Sequence, residues 1–200
     1  RGSFIHNAVE NYIRGLAVHP GDDVLAYWKG MPEKLDDLLN EGTVLWSEKP
    51  YNQPQWSRYV GEDGVGRIHY YNEGTGHGYA GCCDIIYRDV NGEIILGDFK
   101  TSVGPYSANF PKAKDNLPDN VKKALTSGVF KLKKTQLQLA AYTLAAETCL
   151  DLKVDKTQII VSTPLPEYPV QVFTFSRAQV EKHIEQWLQV LRQFYESVNK

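Results

Sequence analysis

Two hundred residues, 42% of them hydrophobic, suffice for one globular domain with a sizeable core. A mean hydropathy of -0.40 and the lack of any long apolar run exclude a membrane-spanning helix. The net charge of -2 hides an asymmetry: residues 100 to 134 carry eight lysines against Asp115 and Asp119, a local balance of +6, so the remainder sums to -8. Such a stretch is either a polyanion-binding surface or the solvated face of a lysine-rich helix.

No signal peptide is visible, and Arg1 lies inside what reads as a helix start, so upstream sequence is expected to be missing. Cys82, Cys83 and Cys149 form no C-x-x-C pair, which points to an intracellular, reducing compartment. The cysteines do not distinguish one intracellular compartment from another. A four-cysteine iron–sulfur site is out of reach for three cysteines.

In chain order, "SFIHNAVENYIRGL" places Phe4, Ile5, Ala8, Val9, Tyr12 and Ile13 on a helical stripe. "PEKLDDLLNEG" predicts a short helix opened by Pro32 and closed by Gly42. "TVLWSEKPYN" reads as a strand; the polar, aromatic stretch after it, to about residue 79, carries no clear signal. "AGCCDIIYRD" and "EIILGDFKTS" flank Val90-Asn91-Gly92 as a hairpin. Pro105, Pro111 and Pro118 predict a long loop over 103–130 with one short helix at most. "LKKTQLQLAAYTLAAETCL" follows as a helix, then "TQIIVSTP" and "VQVFTFS" as strands. Ser176 and Gln179 form a capping box for a last helix with Val180, Ile184, Trp187, Leu188, Leu191, Tyr195 and Val198 on one face. The order predicts an α/β domain with a central mixed sheet flanked by helices.

The chemistry concentrates in "GDFK". In a strand, residues two apart share a face, so Asp98 and Lys100 emerge side by side. Whether Asp84 joins them depends on the turn. A two-residue Asn91-Gly92 loop places Asp84 opposite Phe99, on the wrong face. A three-residue loop with Gly92 left-handed pairs Asp89 with Glu93 and sets Asp84 across from Asp98. Local rules permit both. In the second register, two carboxylates about 5 Å apart repel unless a cation lies between them. Mg²⁺ or Mn²⁺ suits such oxygen ligands, and the neighbouring lysine could orient a water and offset charge at an attacked phosphate.

"GCCDIIYRDVNGEIILGDFKTS" resembles the core of the PD-(D/E)XK (restriction-endonuclease-like) nuclease superfamily, with Cys83-Asp84 standing where the nominal proline-aspartate pair would be. "GSFIHNAVE" is similar to the G-x-x-x-H-x-x-x-E of its RecB-like branch, giving Gly2, His6 and Glu10. "LWSEKPY" supplies Glu48, and "QLQLAAYTLAA" resembles that branch's Q-x-x-x-Y, giving Gln138 and Tyr142. Within the branch the likeness is greatest to the mitochondrial genome maintenance exonucleases and their phage and bacterial relatives, through D-x-K-T-S and the tryptophan-bearing last helix. It spans nearly the whole chain.

The resemblance implies one nuclease domain over residues 1–200, with 103–134 a DNA-binding loop or arch. It implies a Mg²⁺- or Mn²⁺-dependent exonuclease that digests single-stranded DNA from free ends, in replication, repair or recombination. Asp84, Asp98, the Phe99 carbonyl and His6 would bind metal, and Lys100 would position the water. Gln138 and Tyr142 would hold the scissile phosphate or order the site, with Glu10 and Glu48 as candidates for contacts to metal-bound water. Lys112, Lys114, Lys131, Lys133 and Lys134 would meet DNA phosphates, and Tyr106 or Phe110 could stack on bases. Taken alone, His6 reads as a partly buried helix histidine and the aromatics as ordinary loop anchors. Two rival functions share the residues: a structure-specific or restriction-type endonuclease, and a non-catalytic DNA-binding subunit.

Overall fold

The computed structural model of the chain describes residues 2–50, 53–112 and 115–198. In order, the elements are α1 (Gly2–Ile13), α2 (Asp22–Trp28), α3 (Met31–Leu39) and β1 (Thr43–Ser47), then a 3-10 helix (Pro54–Tyr59). There follow β2 (Ile68–Asn72), β3 (His77–Gly81), β4 (Ile85–Arg88), β5 (Ile94–Thr101), α4 (Asp119–Leu150), β6 (Lys156–Ser162), β7 (Val170–Ser176) and α5 (Arg177–Val198). The protein is α/β. Five strands form the central sheet in the order β1-β4-β5-β6-β7, and β2 and β3 make a separate hairpin.

The sheet is mixed. β1 and β4, and β4 and β5, pair antiparallel. The Asp155 amide donates to the Ile94 carbonyl and the Ser102 amide to the Ser162 carbonyl, so β5 and β6 start together, end together and run parallel. A parallel pair needs a long crossover, and α4 supplies it. Strand β4 shows why the middle of the sheet is apolar on successive residues: Ile85, Ile86 and Tyr87 are all buried, so both faces are covered there. Each such aliphatic side chain stabilises the fold by about 1.5–3 kcal/mol.

The chain divides into two compact units, and the division crosses α3 after Leu38, β5 after Asp98, α4 after Thr135, β6 after Gln158 and β7 after Phe173. The first unit holds α1, α2, most of α3, the end of β5, residues 102–118, the start of α4, the end of β6 and the start of β7. The Ser162 hydroxyl there donates to the Tyr27 carbonyl, and Tyr12 lies edge-on to Trp28 at 6.0 Å. The second unit holds β1, the 3-10 helix, the β2–β3 hairpin, β4, most of β5, the rest of α4, the start of β6, the end of β7 and α5. Trp46, fully buried, donates its indole N–H to the Cys83 carbonyl at 3.2 Å. His77 stacks on Tyr195 at 4.2 Å, which ties the hairpin to α5.

Four sequence expectations change. The loop expected over 103–130 ends at Pro118, and one 32-residue helix of about 48 Å replaces the short helix and the later one. The unassigned stretch before residue 79 contains the 3-10 helix and the β2–β3 hairpin. A helix at Asp22–Trp28, too short to show periodicity, precedes the expected second one. On α5, Val180 and Leu191 are buried, but Val198 is exposed. The capping box forms in part, with the Gln179 carboxamide oxygen accepting from the Ser176 amide at 2.9 Å.

Candidate active site

The β4–β5 turn is the three-residue form. Gly92 has φ +84°, its amide donates to the Asp89 carbonyl at 3.0 Å, and the Asp89 amide donates to the Glu93 carbonyl at 3.0 Å. The Asp89 carboxylate also accepts from the Asn91 and Glu93 amides, each at 2.9 Å, and so holds the turn from outside. Pairing then runs Arg88 with Ile94 down to Ile85 with Gly97. One further step in this register sets Asp84 opposite Asp98.

Strand β1 adds a third carboxylate. Ser47 pairs with Ile85, and the next residue, Glu48, donates its backbone amide to the Asp84 carbonyl at 3.0 Å. Glu48, Asp84 and Asp98 therefore form a row across three adjacent chain segments, and cross-strand neighbours share a face. Carboxylate oxygens of Glu48 and Asp84 lie within 4.8 Å of each other. Asp98 is 1% exposed; Asp84 and Glu48 are half-buried.

Two neighbouring groups feel this charge. Burial pushes the Cys83 thiol well above its ordinary value, and Asp84 and Asp98 push it further. A thiol held neutral in this way is no nucleophile. Burial likewise pushes the Tyr142 phenol up to about 12, with Asp98 and Asp84 adding to the shift and the Gln138 hydrogen bond opposing it. The Gln138 amide donates to the Tyr142 hydroxyl oxygen at 2.8 Å, one helical turn away on α4. Backbone geometry admits the ring: a β-carbon at Gly81, the last residue of β3, would stand 2.6 Å from its Cε1.

In the first unit, His6 of α1 has Nε2 2.8 Å from the Phe99 carbonyl of β5. Glu10, one turn on, is 8% exposed and forms an ion pair with Arg14 at 2.9 Å. Lys100 follows on β5, half-buried, and by strand alternation projects to the face that Asp98 uses. Lys131, Lys133 and Lys134 are exposed on α4, and Lys112 is exposed in the preceding loop. Lys114 lies outside the described residues. Tyr106 is buried at 7% exposure, whereas Phe110 stands 44% exposed.

Sequence reading missed Phe130, 61% exposed on α4 and edge-on to Phe110 at 5.4 Å. Its signal was available: an aromatic ring directly beside Lys131, out of phase with the buried Val129 and Leu132. A depression of about 600 Å³ lined by Arg58, Tyr59, Arg67 and His69 also lies in the second unit. Its Arg67 is clasped by Asp63, which neutralises most of the charge an anion would meet. Among the described residues, no helix is long and apolar enough to cross a membrane.

No protein-family model matches the sequence, and no curated protein does. Among solved structures, SSO0001 is similar over 84% of this chain and 58% of its own, at 17% identity and a TM-score of 0.34. A proposed exonuclease from Eubacterium rectale is similar over 94% of this chain and 70% of its own, at 11% identity and a TM-score of 0.38. The chain thus spans little more than half the length of the first of these.

Proposed function

We propose that the protein is a divalent-metal-dependent deoxyribonuclease of the PD-(D/E)XK superfamily, RecB-like branch, that digests single-stranded DNA from free ends. The observation that carries this reading is the row Glu48, Asp84, Asp98, with Lys100 two residues beyond Asp98 on the same strand face.

The donor set fits a hard dication. Three carboxylates gathered in a half-buried row repel one another, and an ion taking oxygen ligands relieves the repulsion. His6 Nε2 and the Phe99 carbonyl, 2.8 Å apart, have the spacing of two adjacent donors on one small ion, for which ligand distances near 2.1 Å give about 3 Å. Asp84, Asp98, the Phe99 carbonyl and His6 would hold the metal, and an imidazole among carboxylates lets Mn²⁺ substitute for Mg²⁺. Bound there, a divalent cation supplies positive charge to the attacked phosphate and acidifies water.

The protein's own groups do the rest. Lys100 orients the attacking water and offsets charge developing at the phosphate. Tyr142 stays protonated throughout the neutral range. Because its oxygen already accepts from Gln138, its own proton remains to be donated to a phosphate oxygen. Glu48, bound through its backbone to Asp84, would accept hydrogen bonds from water entering the site, and Glu10 would act behind His6 on α1.

The test uses end-labelled linear strands and closed circular strands, with Mg²⁺, with Mn²⁺ and with chelator. Metal-dependent loss of linear strands with survival of circles supports the reading. Cutting of circles moves it to an endonuclease, and binding without cleavage to a DNA-binding subunit.

A further inference from the structure

We infer that Phe110 and Phe130 form a stacking platform for unpaired bases, with Lys131 and Lys133 set to meet the adjoining phosphates. This inference rests on the reading of the protein as acting on single strands, and it deepens that reading by adding Phe130 and pairing it with Phe110 as one surface. The rings meet edge to face at 5.4 Å with 67° between their planes, yet they remain 44% and 61% exposed. The pair keeps much of its apolar area in water, where a partner could cover it.

The mount is built rather than incidental. A β-carbon at Gly128 would stand 2.5 Å from the Pro105 carbonyl oxygen, so the loop lies directly on α4 two residues before Phe130. Gln171 clamps the loop backbone from the other side, accepting from the Tyr106 amide at 2.8 Å and donating to its carbonyl at 3.1 Å. The Ser107 hydroxyl donates to the Asn109 carbonyl at 2.7 Å, which fixes the residue before Phe110. Lys131 donates to the Ser102 hydroxyl at 3.1 Å with its ammonium 6.0 Å from the Tyr106 ring. Lys133 places its ammonium 5.0 Å from the Phe110 ring centre. Each of these contacts belongs to the first unit.

Charge chooses the occupant. Two exposed rings bordered by lysines fit a partner with flat π-faces and regularly spaced negative charge. Unpaired nucleic acid has both, whereas a duplex hides its base faces in its own stack. Stacking of one base on an aromatic side chain changes affinity by about tenfold or more.

The experiment measures binding of the full chain, in chelator, to an oligothymidylate and to an abasic strand of equal length. Wild type should bind the oligothymidylate about tenfold more tightly than the abasic strand. The double variant Phe110→Ala with Phe130→Ala should lose that preference while keeping its affinity for the abasic strand and its thermal stability. Phe110→Tyr with Phe130→Tyr should retain the preference, whereas the double change to leucine, apolar but not planar, should not. Retention of the base preference by the alanine pair, or its absence from wild type, would overturn the platform. Binding to anionic vesicles, or self-association, that disappears in the alanine pair would overturn it as well, by assigning the rings to another partner. Cleavage is measured separately: a protein that cuts strands without base preference loses only the platform, and one that prefers bases without cutting loses only the nuclease.

Discussion

The backbone amide of Glu48 donates to the carbonyl of Asp84 at 3.0 Å, while Asp98 faces Asp84 from the other side in the β4–β5 register. Backbone pairing, rather than side-chain contact, sets the three carboxylates side by side. The sheet fixes them before any ligand arrives, so the cost of gathering like charges falls on folding rather than on binding.

The pair Asp98 and Lys100 should be indispensable to catalysis. Asp98→Asn keeps the shape of a side chain that is 1% exposed, and Lys100→Ala removes one charge at a strand end. Each should lower kcat at least about a hundredfold while the circular dichroism and DNA affinity stay near wild type. Turnover like wild type in either variant would remove the residue from the mechanism.

The turn that sets the register can be tested through Gly92. Its φ is +84°, and nothing stands within 4 Å of where a β-carbon would be, so the effect of Gly92→Ala is confined to the backbone. That variant should lose about 1–2 kcal/mol in urea denaturation. Gly92→Asn, which tolerates the left-handed region, should lose less. Equal stability of all three would mean that the turn is not of this form.

Tyr142 should resist ionisation. Its folded pKa, about 12, lies above the unfolded value of 10.0, so the native state binds the proton more tightly. The associated stability is fully present below pH 10 and declines as pH rises through 12. Difference absorbance between wild type and Tyr142→Phe should show no tyrosinate from this residue at pH 10. Half-ionisation there would contradict the burial that the structure assigns to it.

Salt dependence reports on the lysines. If three or four of those in residues 100–134 touch phosphate, single-strand affinity should fall by somewhat more than the second power of salt concentration, at about 0.7 per contact. Reversal of Lys131, Lys133 and Lys134 to glutamate should flatten the slope and raise KM without loss of metal binding. An unchanged slope would reduce the stretch to a solvated helix face.

What the sequence revealed follows from the range of each interaction. D-x-K is legible because strand alternation is a two-residue rule, and Gln138 and Tyr142 are legible because helical spacing is a four-residue rule. The register at Gly92 was not, since two turn types satisfy the same residues and the choice depends on pairing along the whole hairpin. Glu48 could be named but not placed: its position depends on the pairing of β1 with β4, roughly forty residues apart in sequence. The helix start at Asp119 was hidden by Gly128, which locally reads as a breaker but is required by the loop that crosses it. Phe130 escaped notice because a helix is read from its apolar stripe, and the signal here is an aromatic that falls out of phase with that stripe.

The account depends most on an ion binding beside Asp84 and Asp98, and a crystal grown with excess Mn²⁺ tests this through anomalous scattering. The predicted result is a peak between those two carboxylates, with the Phe99 carbonyl and His6 as further ligands, and the same peak lost in Asp98→Asn but retained, weaker, in His6→Ala. A map with manganese elsewhere and none at this position would contradict the account.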